Sequence, residues 1–244
     1  MVADTPLTVP PRHYWQSHMI AENNPCSGVY LAGRTDKERD FMARAVHEKD
    51  DPHVSYVPKF DHVMIDLETM SLHKYKAVIL SVGMIEFDPT DIERLYIGQS
   101  DIIAPVLAPQ LMLGRRVSAD TQKFWAKPEN AEAAKQWSDC PFGHADLDAT
   151  IRRVREFCAG KECVWANGAQ FDLSNLEGLA EDIGDTEELW HYQAPNDMRT
   201  FCRRTPVTRT VPIGDALDIP GVAHEPVYDC ISQAWRVWSH WSLS

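Results

Sequence analysis

The sequence has no apolar run approaching the roughly 20 residues that a transmembrane helix requires, which argues against a membrane-spanning protein. The first residues, Met1 to Pro6, also lack the charged-then-apolar pattern of a signal peptide. From these two absences we expect a cytoplasmic protein without a membrane partner.

Cysteine is scarce, with six residues irregularly spaced along 244 positions. Such spacing argues for reduced thiols rather than a disulfide framework. Cys158 and Cys163 are the closest pair, but no Cys-x-x-Cys or neighbouring His pair completes a zinc site.

Positive charge is also in short supply, since the formal net charge is −12. That balance argues against a protein that grips long nucleic acids through non-specific counterion release. The net charge is still compatible with an enzyme that binds one end of a nucleic acid strand through metal ions, because some of the acids would then be metal ligands.

A hydrophobic content of 44% allows the chain to bury a sizeable core. Prolines interrupt residues 1–58, whose most regular piece, Thr35 to His47, could form a helix. We expect an N-terminal extension of unknown role over residues 1–58 and one catalytic domain over residues 59–244.

The stretch from Phe60 to Met70 predicts a buried strand that carries two acids near its end. Because side chains alternate across a strand, Asp66 and Glu68 leave the same face and their carboxylates can converge. Two such carboxylates repel unless one is protonated or both bind a cation, and their oxygens suit Mg²⁺ or Mn²⁺. The alternative is that the acids merely mark the exposed end of the strand.

The remaining pattern predicts an α/β fold with a mixed sheet covered by helices. The predicted strands after the first are Ala77–Phe87, Leu95–Ala104 and Lys161–Asn167. The predicted helices are Ala119–Ala126 capped by Ser118, Pro128–Trp137, His144–Cys158, a helix capped by Asp172 and closed by Gly184, Asn196–Arg204, and a last helix from Glu225-Pro226 with Tyr228, Ile231, Trp235 and Trp238 on one stripe.

A two-metal site needs more carboxylates than one strand supplies. Asp172 follows a predicted strand, and Asp229 lies in the first turn of the last helix, where either acid could simply cap or stabilise its helix. His224, five residues before Asp229, could accept a proton at neutral pH, or could be an ordinary surface histidine. Asp197 is a weaker acid candidate.

Taken in order, these motifs resemble those of the DEDDh group of 3′-to-5′ exonucleases, in particular the phage exonuclease A type and its short bacterial exoribonuclease relatives. The resemblance rests on Met64–Met70, Asp172 and the spacing His224-x-x-x-x-Asp229, and it extends to Val117–Trp125 and Asn196–Thr200. It covers about residues 60 to 241.

Two positions depart from the group's pattern. Phe124 stands where a second Trp is usual, which leaves the role of that position open. Pro226 stands where a small residue is usual, but Pro is well tolerated in a first helical turn.

The resemblance implies a ribonuclease-H-like fold with a five-stranded mixed sheet. It implies two divalent cations, Mg or Mn, held by Asp66, Glu68, Asp172 and Asp229, with His224 as the general base. The expected activity is two-metal hydrolysis of terminal phosphodiesters of single-stranded RNA or DNA, which releases nucleoside 5′-monophosphates.

Further residues are candidates for binding the substrate. Leu67 and Thr69 flank the first acids, and Trp125 or Phe124 could stack on a terminal base, although Trp125 could equally belong to the core. The candidates for phosphate contacts are Arg115, Arg116, Arg199, Arg203, Arg204 and Arg209.

The sequence is also compatible with two other functions. One is a metal-dependent hydrolase of short oligonucleotides, and the other is a catalytically silent module that binds nucleic acid or a partner. The sequence does not separate RNA from DNA. It also leaves the oligomeric state open, with a homodimer among the alternatives.

Overall fold

A computed structural model describes residues 56–91, 95–139, 144–207 and 223–241. They contain a six-stranded sheet in the order β4-β3-β2-β1-β5-β6. The strands are β1 (His62–Thr69), β2 (Ile79–Asp88), β3 (Tyr96–Pro105), β4 (His144–Ala145), β5 (Cys163–Ala166) and β6 (Pro195–Asp197). The helices are α1 (Leu107–Met112), α2 (Ala119–Trp125), α3 (Ala131–Ser138), α4 (Leu147–Cys158), α5 (Ala169–Asp182), α6 (Met198–Arg204) and α7 (Pro226–His240), and a 3₁₀ turn, Pro128–Asn130, precedes α3.

Strand β1 lies at the centre of the mixed sheet, antiparallel to β2 and parallel to β5. Its side chains alternate between two apolar layers, as the pattern of its sequence requires. Val63, Ile65 and Leu67 pack in the layer beneath α4 and α5, whereas Met64 packs in the layer beneath α7. The expected α/β fold, a mixed sheet flanked by helices, is confirmed.

The sheet has six strands rather than the expected five, and two of them lie where the sequence predicts helices. His144 and Ala145 form β4, so α4 begins only at Leu147. Asn196 and Asp197 belong to β6, which pairs with β5, so α6 begins only at Met198. These strands of two and three residues are too short to show a periodicity, and only their pairing with a neighbouring strand defines them.

The predicted cap of α5 is wrong. The helix begins at Ala169 after Gly168, which places Asp172 in the first turn rather than at the N-cap. The carboxylate that accepts the Ala169 N–H is Asp197 Oδ2, at 3.0 Å. The predicted end is confirmed, since Gly184 follows the helix with a positive φ of 77°.

Helix α7 begins where the sequence predicts, with Glu225 at the N-cap and Pro226 at the first position. Its buried face differs from the predicted stripe, because Trp235 is only partly buried and lies outside the core clusters. The residues that face the sheet are Val227, Cys230, Ile231, Ala234 and Val237, with Tyr228 partly buried beside them.

Some predictions lie outside the described residues: the helix at Thr35–His47, Arg209 and most of the predicted loop from Thr205 to Ala223. The division at residue 58 stays a prediction. None of the helices in the described ranges is long and apolar enough to cross a membrane.

Candidate active site

Three separate elements bring four carboxylates together where β1 ends. Asp66 and Glu68 come from β1, Asp172 from the first turn of α5, and Asp229 from the first turn of α7. Asp66 and Glu68 both experience the negative charges of Asp172 and Asp229. The carboxylate of Asp172 also accepts hydrogen bonds from the backbone N–H groups of Gly168 and Leu67, which join α5 to the acid-bearing strand.

Burial and mutual repulsion make this cluster hard to ionise. Burial is the largest cause that raises the pKa of Asp66, and the charges of Asp172 and Asp229 raise it further. Burial, with Asp66 as the strongest neighbouring charge, raises the pKa of Glu68 to about 10. The pKa values of Asp172 and Asp229 are also raised, mainly by burial. Four carboxylates placed in this way need either protons or cations.

The residues present fit divalent cations. One oxygen of Glu68, one oxygen of Asp229 and one ring nitrogen of His224 lie within 4.8 Å of one another, as atoms around a single ion would. Oxygen-rich donor sets are typical of Mg²⁺ and Mn²⁺ sites. A cation would also relieve the repulsion that raises the carboxylate pKa values.

His224 is held in a conformation that is uncommon for a residue other than glycine. Its φ is 69°, and its backbone N–H donates to Asp229 Oδ2 at 3.1 Å. Its Nδ1 lies 3.9 Å from Glu68 Oε1. The side chain is 42% exposed, so the imidazole borders both the acids and the solvent. Backbone strain of this kind concentrates at functional sites.

A glycine in β2 allows α7 to approach the acids. Gly83 pairs with Asp66 across the two strands, and a Cβ atom at Gly83 would lie 2.5 Å from the carbonyl carbon of Pro226. The thiol of Cys230 donates to the Gly83 carbonyl at 3.4 Å. The first turn of α7, which carries Asp229, is therefore seated directly on the sheet.

The two residues of β1 that lie beside the acids, Leu67 and Thr69, are both buried. Leu67 is 6% exposed and packs in the core, and its backbone N–H donates to Asp172. Thr69 is 5% exposed; its hydroxyl donates to Ser71 O, and its carbonyl accepts the indole N–H of Trp125 at 3.0 Å.

Trp125 is itself buried, and it packs with Leu80 and Ala133. The rings of Phe124 and Trp125 lie 5.0 and 6.2 Å from the His224 ring, each in an edge-to-face arrangement. Phe124 is only half-buried, so it is the more accessible aromatic ring beside His224.

Arg199 is the predicted phosphate contact that lies nearest the acids. Its Nε donates to Asn167 Oδ1 at 3.1 Å, and its positive charge lowers the pKa of Asp172 against the effect of burial. Arg115 proves to be a structural residue instead, because it is 3% exposed and bonds Asp182 and the carbonyl of Ala77. Arg116, Arg203 and Arg204 are exposed.

Asp197 serves as a cap and not as a member of the cluster. In addition to the Ala169 N–H, its carboxylate accepts the N–H of Thr200 at 2.8 Å.

Sequence reasoning missed Gln233, whose Nε2 donates to Asp66 Oδ1 at 2.7 Å. Gln233 lies one helical turn after Asp229 on α7, so the i, i+4 spacing was the available signal.

No curated protein matches the sequence. Among solved structures, a product-bound exonuclease I has 14% identity and a TM-score of 0.48, covering 73% of this chain and 43% of its own. E. coli exonuclease I in complex with a dT13 oligonucleotide has 16% identity and a TM-score of 0.43, covering 73% and 41%. The chain thus spans less than half the length of these exonuclease I chains.

The family comparison covers most of the chain. The model described as the 3′-5′ exoribonuclease Rv2179c-like domain matches residues 61–241, a range that contains all four gathered acids and His224. The chain therefore belongs to the 3′-5′ exoribonuclease Rv2179c-like domain family, a family of DEDDh-type 3′-to-5′ exonucleases.

Proposed function

We propose that the protein removes nucleotides from the 3′ ends of single-stranded RNA or DNA by two-metal hydrolysis, releasing nucleoside 5′-monophosphates. The observation that carries the proposal is the convergence of four carboxylates from β1, α5 and α7 beside His224. The description of the family supports RNA as a substrate, and the oligonucleotide complex of E. coli exonuclease I supports a single strand.

Asp66, Glu68, Asp172 and Asp229 would hold two divalent cations, Mg or Mn. When bound, such cations supply positive charge for the attacked phosphate and for the leaving 3′-oxygen. The protein's own part is to keep the four carboxylates close together in a largely buried setting, where electrostatic interactions are stronger than in water.

His224 takes the proton of the attacking water. Its ring lies against Phe124 and Trp125, and the backbone bond to Asp229 holds the residue beside the acids. A half-exposed imidazole can then release that proton to solvent, as the general-base role requires.

The terminal nucleotide lies over the end of β1. The backbone of Leu67 and Thr69 borders the acids, and the Phe124 and Trp125 rings border His224. The positively charged guanidinium of Arg199 lies near the first turn of α5. Arg199 is the residue best placed to contact a phosphate, since it is exposed and a hydrogen bond to Asn167 holds its side chain in place.

The test uses 5′-labelled single-stranded RNA and DNA of equal sequence, incubated with Mg²⁺, Mn²⁺ or EDTA. We expect a cation-dependent ladder that shortens from the 3′ end with the wild type and is absent with Asp66→Ala. Asp120→Ala is the matched control, because the Asp120 side chain is 96% exposed on α2. A labelled dinucleotide forms a parallel arm; cleavage of the dinucleotide alone would replace the proposal with hydrolysis of short oligonucleotides. Intact substrate in every lane would overturn it in favour of a silent binding module.

A further inference from the structure

Gln233 is the one neutral side chain of α7 that hydrogen-bonds a carboxylate of the acid cluster in the described residues. It is 8% exposed, and its Nε2 donates to Asp66 Oδ1 at 2.7 Å. This bond crosses from helix to sheet and takes one of the two oxygens of Asp66. It therefore restrains the rotation of the carboxylate, and Oδ2 is the oxygen that it does not engage.

Among the described residues, the other end of the same amide has no hydrogen-bond partner. Within the described ranges, three buried polar atoms lack a hydrogen bond: Gln233 Oε1, Ser81 Oγ and Trp137 Nε1. Ser81 pairs with Glu68 across β1 and β2, so its hydroxyl leaves the same face of the sheet as the acids. Buried polar atoms are rarely left unpaired, and a water molecule is a common partner for them.

We propose that Gln233 is a positioning residue for cation binding: its Nε2 holds Asp66 in the orientation that ligates a divalent cation, and its Oε1 accepts a hydrogen bond from a water molecule within the site. The proposal rests on the proposed function only in assuming that the acids hold cations. It adds a sixth residue to the four acids and His224. Outer hydrogen bonds of this kind typically change metal affinity about 10- to 100-fold when they are removed.

The experiment is a calorimetric titration of the purified protein with Mn²⁺, without nucleic acid. Gln233→Met removes both polar atoms at nearly the same length, and Gln233→Asn keeps the amide but withdraws it from Asp66. We expect each variant to bind Mn²⁺ about 10- to 100-fold more weakly than the wild type. At saturating Mn²⁺, the KM for an RNA oligonucleotide stays near the wild-type value.

Gln110→Met is the matched control. Gln110 is fully buried, but its amide bonds the backbone N–H and carbonyl of Ile79 instead of an acid. We expect this control to lower the unfolding temperature and to leave Mn²⁺ affinity unchanged, which separates positioning from general stability.

The outcomes are distinct. Wild-type Mn²⁺ affinity in both folded Gln233 variants would overturn the positioning role and leave the nuclease proposal standing. Equal weakening in Gln110→Met would assign the effect to stability and would also overturn it. A wild type that binds no Mn²⁺ would overturn both proposals, and a wild type that binds Mn²⁺ but cleaves nothing would overturn the nuclease proposal alone.

Discussion

The two ends of β1 carry opposite chemistry on one face of the sheet. At the start of the strand, His62 lies among the rings of Phe87, Trp165 and Trp241, and its Nδ1 accepts the indole N–H of Trp165 at 2.9 Å. Four to six residues later, Asp66 and Glu68 face other carboxylates. Both ends are largely buried, but the imidazole at the first end bonds a neutral indole, whereas the carboxylates at the second end face one another.

This difference separates an end of the strand that packs in the core from the end that we propose to be catalytic. Burial lowers the pKa of His62 to about 4, so the ring stays neutral and packs as part of the core. Burial raises the pKa of the acids at the other end, which is a cost that a structural role does not explain. The proposed cations would explain this cost, because the same carboxylates would then be their ligands.

Replacing an acid should produce the largest effect. We expect Asp66→Ala to reduce cleavage of single-stranded RNA at least about a thousandfold. The reason is that the removal of one member of a group of residues that act together costs about as much activity as the removal of all of them. The same change should preserve the fold and raise the unfolding temperature of the metal-free protein, since it removes a buried carboxyl group that is costly to ionise beside Asp172 and Asp229. Cleavage assays and thermal unfolding in EDTA check the two parts. An active Asp66→Ala enzyme would remove the distinction between the two ends of β1.

His224→Ala should reduce turnover about 100- to 10,000-fold, which is the usual contribution of a general base. Because the carboxylates supply the oxygen ligands, we expect Mn²⁺ affinity to change much less than turnover. Single-turnover cleavage and calorimetry on the same preparation measure the two quantities. A loss of Mn²⁺ binding as large as the loss of turnover would make His224 a ligand, a role that its position near Glu68 and Asp229 also allows.

The metal-free protein should lose stability as the pH rises from 7 to 9. A carboxyl group whose folded pKa is raised stabilises the fold fully below its unfolded pKa, and that contribution is lost as the pH rises toward the folded value, about 10 for Glu68. The expected loss is on the order of 1 kcal/mol per pH unit. Urea unfolding in EDTA measures it; Glu68→Gln should flatten the slope, and saturating Mg²⁺ should reduce it. An unchanged slope in Glu68→Gln would show that other groups cause it.

The smallest effect is expected at the aromatic end of β1. His62→Leu leaves the buried indole N–H of Trp165 without its acceptor, which costs about 1–3 kcal/mol of unfolding free energy. The pKa of His62 is lowered, so the wild type loses stability as the pH falls from 6.5 toward 4, and the variant should lack this contribution. Cleavage by the folded variant should match the wild type. A large loss of cleavage would show that the two ends are coupled.

The sequence predicts those parts of the site that depend on local pattern. The alternation of β1 places Asp66 and Glu68 on one face, and the start of α7 at Pro226 places Asp229 in a first turn. The structure brings these residues and Asp172 together as the motif order implied, although their roles stay predictions.

The remaining features depend on tertiary contacts that no local pattern encodes. Gln233 reaches Asp66 only because Gly83 lets α7 lie close to β2, and Arg115 is buried only because Asp182 and Ala77 meet it. Strands β4 and β6 exist through pairing at the sheet's two edges. Predicting any of these features requires knowledge of which helices and strands pack together.

The most direct test of the central claim is a crystal structure of the wild-type protein grown with Mn²⁺, with anomalous scattering used to locate the ions. We expect two anomalous peaks bounded by Asp66, Glu68, Asp172 and Asp229, with a separation of about 3.5–4 Å between the ions. Asp66 should contact an ion through the oxygen that Gln233 leaves available. Peaks elsewhere on the molecule, or none at these acids in crystals that hold Mn²⁺, would contradict a two-cation site at the end of β1.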